Sequence, residues 1–159
     1  MSETVEPLKI LLVEDELADV LLLRRALGRA ELHWSLTVAR DGIRALSLIT
    51  APQSKVPDLV LLDLNLPGRS GLEVLARLRR QPVWQDLPVL VLSTSSQSGD
   101  VDAAQEKGAS GYLVKPDSFS EMIAMLESVE QFARKGEPLP PPPSRSSGSE
   151  RRWNESFAR

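Results

Sequence analysis

Four places in the chain carry side chains able to do chemistry: Glu14-Asp15-Glu16, Asp63, Ser93-Thr94 and Lys115-Pro116. Each stands directly after a short apolar run. Brought together by one fold, Glu14, Asp15 and Asp63 would be like charges at close quarters, which must either protonate or capture a cation. Carboxylate oxygens with no His or Cys beside them suit a hard cation. Mg²⁺ fits best, with Mn²⁺ or Ca²⁺ able to substitute, because it takes a few carboxylates and completes its shell with water and phosphate oxygens. Lys115 adds a positive point charge and Ser93 a hydroxyl. Such donors, aimed at a doubly negative group, point to phosphoryl transfer rather than hydrolysis of peptides or sugars. Asp63 is then the candidate nucleophile, forming an acyl phosphate.

The elements that must position these residues are legible as alternating runs. Residues 8–13, 35–39, 58–63, 88–93 and 111–115 are short and rich in Val, Leu or Ile. Most lack the alternation of a half-wet strand and read as strands covered on both faces. Between them lie segments of helical period: 17–30, with apolar residues at 20, 23, 26, 27 and 30; 42–50, with Ile43, Leu46 and Ile49 on one side; 71–80; 100–107; and 118–134, with Met122, Leu126, Val129 and Ala133 on one face. Five-fold alternation predicts an α/β fold, a doubly wound five-stranded parallel sheet with right-handed crossovers. Ligands in such sheets collect outside the carboxyl ends of the strands, where all four candidate stretches fall.

The 159 residues are 42% hydrophobic, enough for one core. A formal net charge of −3 offers no footprint for nucleic acid or an anionic membrane. With no cysteine, disulfides and thiolate chemistry are excluded. The acidic N-terminus is no secretory signal and no run is long enough to span a membrane, so a soluble, cytoplasmic protein is expected. His33, beside Trp34, reads as a surface loop residue. The expected division is a short tail over 1–7, a domain over 8–135 and a Pro/Ser-rich tail over 136–159. That tail ends in RRWNESFAR, where Trp153 and Phe157 are four residues apart. It reads either as disordered or as a segment docking on a second copy or another partner.

Taken together, VEDE (13–16), LLDLNLPGRSG (61–71), VLSTSS (91–96) and GYLVKP (111–116) resemble the receiver domain of two-component response regulators. The resemblance covers residues 8–135 and implies a flavodoxin-like (βα)5 sandwich with strand order 2-1-3-4-5. It implies that Asp63 accepts a phosphoryl group from a sensor histidine kinase. Asp15, Asp63 and the backbone carbonyl of Asn65 would bind Mg²⁺ directly and Glu14 through water. Lys115 would contact the phosphoryl group, with a cis bond to Pro116. Ser93 would be the switch hydroxyl and Tyr112 the aromatic that follows it. Thr94, larger than the alanine usual there, would narrow access to the acyl phosphate. The helix wording of 15–27 and the long link before the third strand resemble the single-domain regulators that partner phytochrome-type kinases.

Within that resemblance, Leu17, Val20 and Asp117 are candidate kinase-docking residues, with core packing the competing reading for the two apolar ones. Met125 and Phe132 are either a wide buried face or, with the tail aromatics, a homodimer or target surface. No DNA-binding or cyclase motif follows residue 135, so output by conformational switching and protein contacts is expected, with no enzyme activity beyond self-phosphorylation and self-dephosphorylation. Two alternatives remain: a pseudo-receiver that no longer takes phosphate, and an aspartyl-nucleophile phosphohydrolase. The second needs an acid two residues after its nucleophile, where this chain has Asn65.

Overall fold

The computed structural model describes residues 5–51 and 55–141. Ten elements alternate along the chain: β1 Leu8–Val13, α1 Leu17–Arg29, β2 Trp34–Ala39, α2 Gly42–Thr50, β3 Leu59–Leu62, α3 Gly71–Leu78, β4 Val89–Ser93, α4 Ser98–Glu106, β5 Gly111–Val114 and α5 Phe119–Lys135. The strands form one parallel sheet in the order β2-β1-β3-β4-β5, as expected.

Successive strand residues point to opposite faces, and helices cover both. Leu11, Val13, Val60, Leu62, Val89 and Val91 pack with α2, α3 and α4. Ile10, Leu12, Leu59, Leu61, Leu90 and Leu92 pack with α1 and α5. Double coverage explains why these strands read as unbroken apolar runs. The edge strand β2 differs, with only Ala39 fully buried and the residues before it alternating between half-buried and exposed. Trp34 opens β2 rather than lying in a loop, and its indole donates to Glu130 of α5 at 3.3 Å.

Three helices start on side-chain caps that satisfy backbone N–H groups left over at helix starts. Asp41 accepts from the Arg44 N–H, Ser70 from the Glu73 N–H and Ser118 from the Glu121 N–H. Helix α5 ends at Gly136, whose left-handed φ of 68° favours glycine. Helix α2 departs from its expected face. Gly42, Ala45 and Ile49 are buried whereas Ile43 is 58% exposed, because Gly42 must lie against the backbone of Arg69 and that fixes the helix rotation. Helix α4 begins two residues earlier than its pattern suggested, with Ser98 and Gly99 forming its first turn. At the far end of the sheet the Arg79 guanidinium donates to the carbonyls of Gly108, Leu87 and Gln85, tying the α3–β4 segment to the turn before β5.

Candidate functional site

Register puts the chemistry in one row. Val13 pairs with Leu62 and Ser93 with Val114, so Glu14 and Asp63 leave adjacent strands side by side, as do Thr94 and Lys115 one strand further on. The Asp63 N–H donates to the Val13 carbonyl at 3.0 Å, and the Glu14 N–H to the Ala39 carbonyl at 3.0 Å, which fixes both strand exits. Strand order reverses between β1 and β3, the position at which an open α/β sheet leaves a crevice. Gly71 closes the back of the site. A Cβ there would stand 2.3 Å from the Asp63 carbonyl oxygen and 2.6 Å from the Leu64 Cα, so only glycine lets α3 approach the end of β3 this closely.

Lys115 stands at the centre. Its Nζ is 2.7 Å from Glu14 Oε1, 2.9 Å from Asp19 Oδ2 and 3.1 Å from Asp63 Oδ2. Its backbone N–H donates to the Ser93 carbonyl at 2.8 Å. Burial alone would push this ammonium down. Hydrogen bonds to Glu14 and Asp19 and the charges of Asp63 and Glu14 outweigh it, so Lys115 is held above its ordinary range. Burial pushes the Glu14 carboxyl up to about 7, and the Asp63 charge adds to this. Its bonds to Lys115 and to the Glu16 N–H oppose the rise.

The remaining ligand candidates converge as expected. One oxygen from each of Glu14, Asp15 and Asp63 lies within 4.8 Å of the others. Asp63 Oδ1 accepts from the Asn65 N–H at 3.0 Å, which brings the exposed Asn65 turn beside the carboxylate. Asp15 is anchored through its carbonyl, which accepts from Arg40. An all-oxygen set in which two of three carboxylates, Glu14 and Asp63, are buried suits a hard divalent cation.

Ser93 is fully buried and its Oγ accepts from the Ser95 N–H at 3.1 Å. Tyr112 is buried in the α3–α4 side of the core and donates its hydroxyl to the Ser95 carbonyl at 2.9 Å. The Ser95 hydroxyl in turn donates to Asp100 in the first turn of α4. One loop residue thus joins the Ser93 hydroxyl, the Tyr112 ring and a helix. Thr94 is exposed at the rim.

One expectation is corrected, and the readings left open for Val20 and Phe132 are decided in favour of the core. No cis peptide occurs among the described residues, so Lys115–Pro116 is trans, the isomer that an X–Pro bond favours by about 0.5–1 kcal/mol. Val20 is 5% exposed and packs in the core, because on α1 it shares a face with Leu23 and Leu27; it offers no docking surface. Phe132 is likewise core, 7% exposed, on the face of Val129 and Leu126. Leu17 and Asp117 are exposed, and Met125 is half-buried against the core. Trp153 and Phe157 lie outside the described residues.

Sequence reasoning missed Asp19, Leu21 and Ser95. Asp19 lies a helical turn beyond Asp15, a signal that the inventory of strand ends passed over. Leu21 is 56% exposed, four residues after exposed Leu17, which pairs them on one face of α1. Nothing in the sequence marked Ser95 among its serine neighbours. Its role depends on the reach of Tyr112 from β5.

Residues 10–127 match the response regulator receiver domain family. The response regulator Rcp1 of Synechocystis sp. is 37% identical over 137 residues, covering 83% of this chain and 93% of its own. A crystal structure of the phosphorylated cyanobacterial phytochrome response regulator RcpA superposes with a TM-score of 0.75 at 33% identity, covering 85% of this chain and 99% of that one. The Mn²⁺-bound form of Rcp1 gives 0.72 at 36% identity, covering 84% and 99%. Sheet order, the row of strand-end residues and these likenesses agree: this chain is a response regulator and belongs to the receiver domain family.

Proposed function

We propose that Asp63 is the phosphoacceptor of a two-component system, taking its phosphoryl group from a histidine of a sensor kinase. The observation that carries this reading is the pairing of Asp63 with Lys115 beside the Glu14 and Asp15 carboxylates. An Asp63 oxygen forms the new O–P bond, the N–P bond of phosphohistidine breaks, and the imidazole leaves. Lys115 offsets charge on the transferred oxygens and holds the Asp63 carboxylate in place, while the buried row excludes bulk water from its inner side. Asp15, Asp63 and the Asn65 carbonyl would hold Mg²⁺, with Glu14 reaching it through water. When bound, the ion neutralises phosphoryl charge.

Phosphorylation turns a monoanion into an ester carrying about two negative charges. Ser93 then leaves the Ser95 N–H for a phosphoryl oxygen, and Tyr112 and α4, tied to the same loop, follow it. The output is a change in packing of α4, β5 and α5 that partners read, not a further reaction. A phytochrome-type kinase is the partner that the likeness to the phytochrome response regulator RcpA suggests. Exposed Leu17, Leu21 and Asp117 form the surface proposed for kinase docking. Homodimerisation is proposed through a groove of about 420 Å³ lined by Met125, Tyr112, Glu121 and Pro140. Among the described residues no helix is long and apolar enough to cross a membrane, and a cytoplasmic setting is proposed.

The test is intact mass after incubation with acetyl phosphate and Mg²⁺. A gain of about 80 Da, the mass of one phosphoryl group, is expected in the wild type and absent in Asp63→Asn. No gain in either would favour the pseudo-receiver, and sustained release of phosphate would favour the hydrolase.

A further inference from the structure

An ammonium has three N–H donors. On Lys115 three carboxylate oxygens within 3.1 Å account for all of them. Behind the ammonium the walls are apolar: Leu12, Leu92 and Met122 line a cavity of only about 40 Å³ with Glu14 and Asp19. Once Asp63 is esterified, the donor now on its carboxylate passes to the phosphoryl group, and a second donor to that group must be taken from Glu14 or Asp19. The two differ in what release costs. The Glu14 side chain is 3% exposed, so it would be left as a buried carboxylate without its cation. The Asp19 side chain is 41% exposed and returns to water on release. It sits in the first turn of α1, where the helix dipole attracts negative charge, so it remains a competent rival for Lys115 until then.

We infer that Asp19 is a positioning residue for phosphoryl transfer, acting through Lys115. It holds the ammonium over the pocket in the resting protein and competes with the incoming phosphoryl oxygens for the third donor, which slows phosphorylation. This rests on the reading of Asp63 as phosphoacceptor. Asp19→Asn keeps the shape and an acceptor oxygen while removing the charge that competes. Asp19→Glu keeps the charge.

The experiment follows Asp63 phosphorylation of the full chain by intact mass in Mg²⁺, with acetyl phosphate, a dianion, and phosphoramidate, largely a monoanion at neutral pH. Asp19→Asn is expected to react about two- to fivefold faster than wild type, the worth of a half-exposed ion pair. The factor is the same for both donors because the effect acts on the transferred group. Asp19→Glu is expected to stay within the wild-type range. Equal or slower reaction of Asp19→Asn overturns the inference, as does acceleration confined to acetyl phosphate, which would mean attraction of the dianion alone. Failure of the wild type to gain a phosphoryl group from either donor would instead sink the phosphoacceptor reading, and this inference with it.

Discussion

Gly71→Ala isolates how the fold presents Asp63. The added methyl would stand 2.3 Å from the Asp63 carbonyl oxygen and 2.6 Å from the Leu64 Cα. Carbon–oxygen contacts settle at about 3.3 Å or more, so the two backbones must separate by about 1 Å. Both opposing atoms are main chain, so no rotamer change relieves the clash. Overpacking of this kind costs about 1–3 kcal/mol. The 2.9 Å hydrogen bond from the Gly71 N–H to the Leu64 carbonyl lies in the path of that separation, and weakening it adds up to about 1 kcal/mol. A net loss of about 3 kcal/mol corresponds to roughly 10 °C in Tm for a domain of this size. The site should suffer further, because displacing a reacting group by about 1 Å can cost about 100-fold in rate. Thermal and urea unfolding followed by circular dichroism give the stability, and acetyl phosphate labelling gives the rate. Gly28→Ala is the control. A Cβ there meets nothing within 4 Å, and alanine in a helix should stabilise by about 0.5–1 kcal/mol. If Gly71→Ala melts with wild type and labels at the wild-type rate, the close approach of α3 to β3 is not what positions Asp63.

Other substitutions probe separate contacts. Lys115→Met leaves Glu14 buried without its cation and should cost about 3 kcal/mol in metal-free buffer; melting scans should recover part of that loss in millimolar Mg²⁺ but not in EDTA. Arg79→Lys replaces a planar fork that reaches Gly108, Leu87 and Gln85, and the urea midpoint should fall by an amount equivalent to about 2 kcal/mol. Tyr112→Phe loses only the bond to the Ser95 carbonyl; unfolding should show about 1 kcal/mol less stability, with the initial labelling rate of Asp63 unchanged.

Strands β1, β3, β4 and β5 were readable because both faces are covered, so the apolar runs are nearly the strands themselves. The carboxylate row was readable for the same reason: each run stops where its strand leaves the core. Rotation of the helices was less so. In α2 small Ala45 takes the buried position and larger Ile43 the exposed one, because the contact of Gly42 with Arg69 outranks side-chain hydrophobicity. Val20 and Phe132 were ambiguous because the apolar stripes of α1 and α5 are broad, and only the neighbours across the interface decide which residues lie inside. Asp19 was hidden for another reason. Its partner is 96 residues away, and the distance that matters is set by the reach of a lysine side chain across the mouth of the sheet.

Gly111 has an outcome for anyone preparing this protein. A Cβ at that position would lie 2.9 Å from Leu139 and 2.9 Å from Leu90, so the missing side chain is a notch, and Leu139 fills it after α5 has ended. A fragment cut at Lys135 would keep every helix and strand yet uncover Leu90 of β4 beside Gly111, giving the shortened product a sticky spot absent from the parent. Expression boundaries, fusion joints and affinity tags are therefore better placed beyond Pro141 than at the last helical residue.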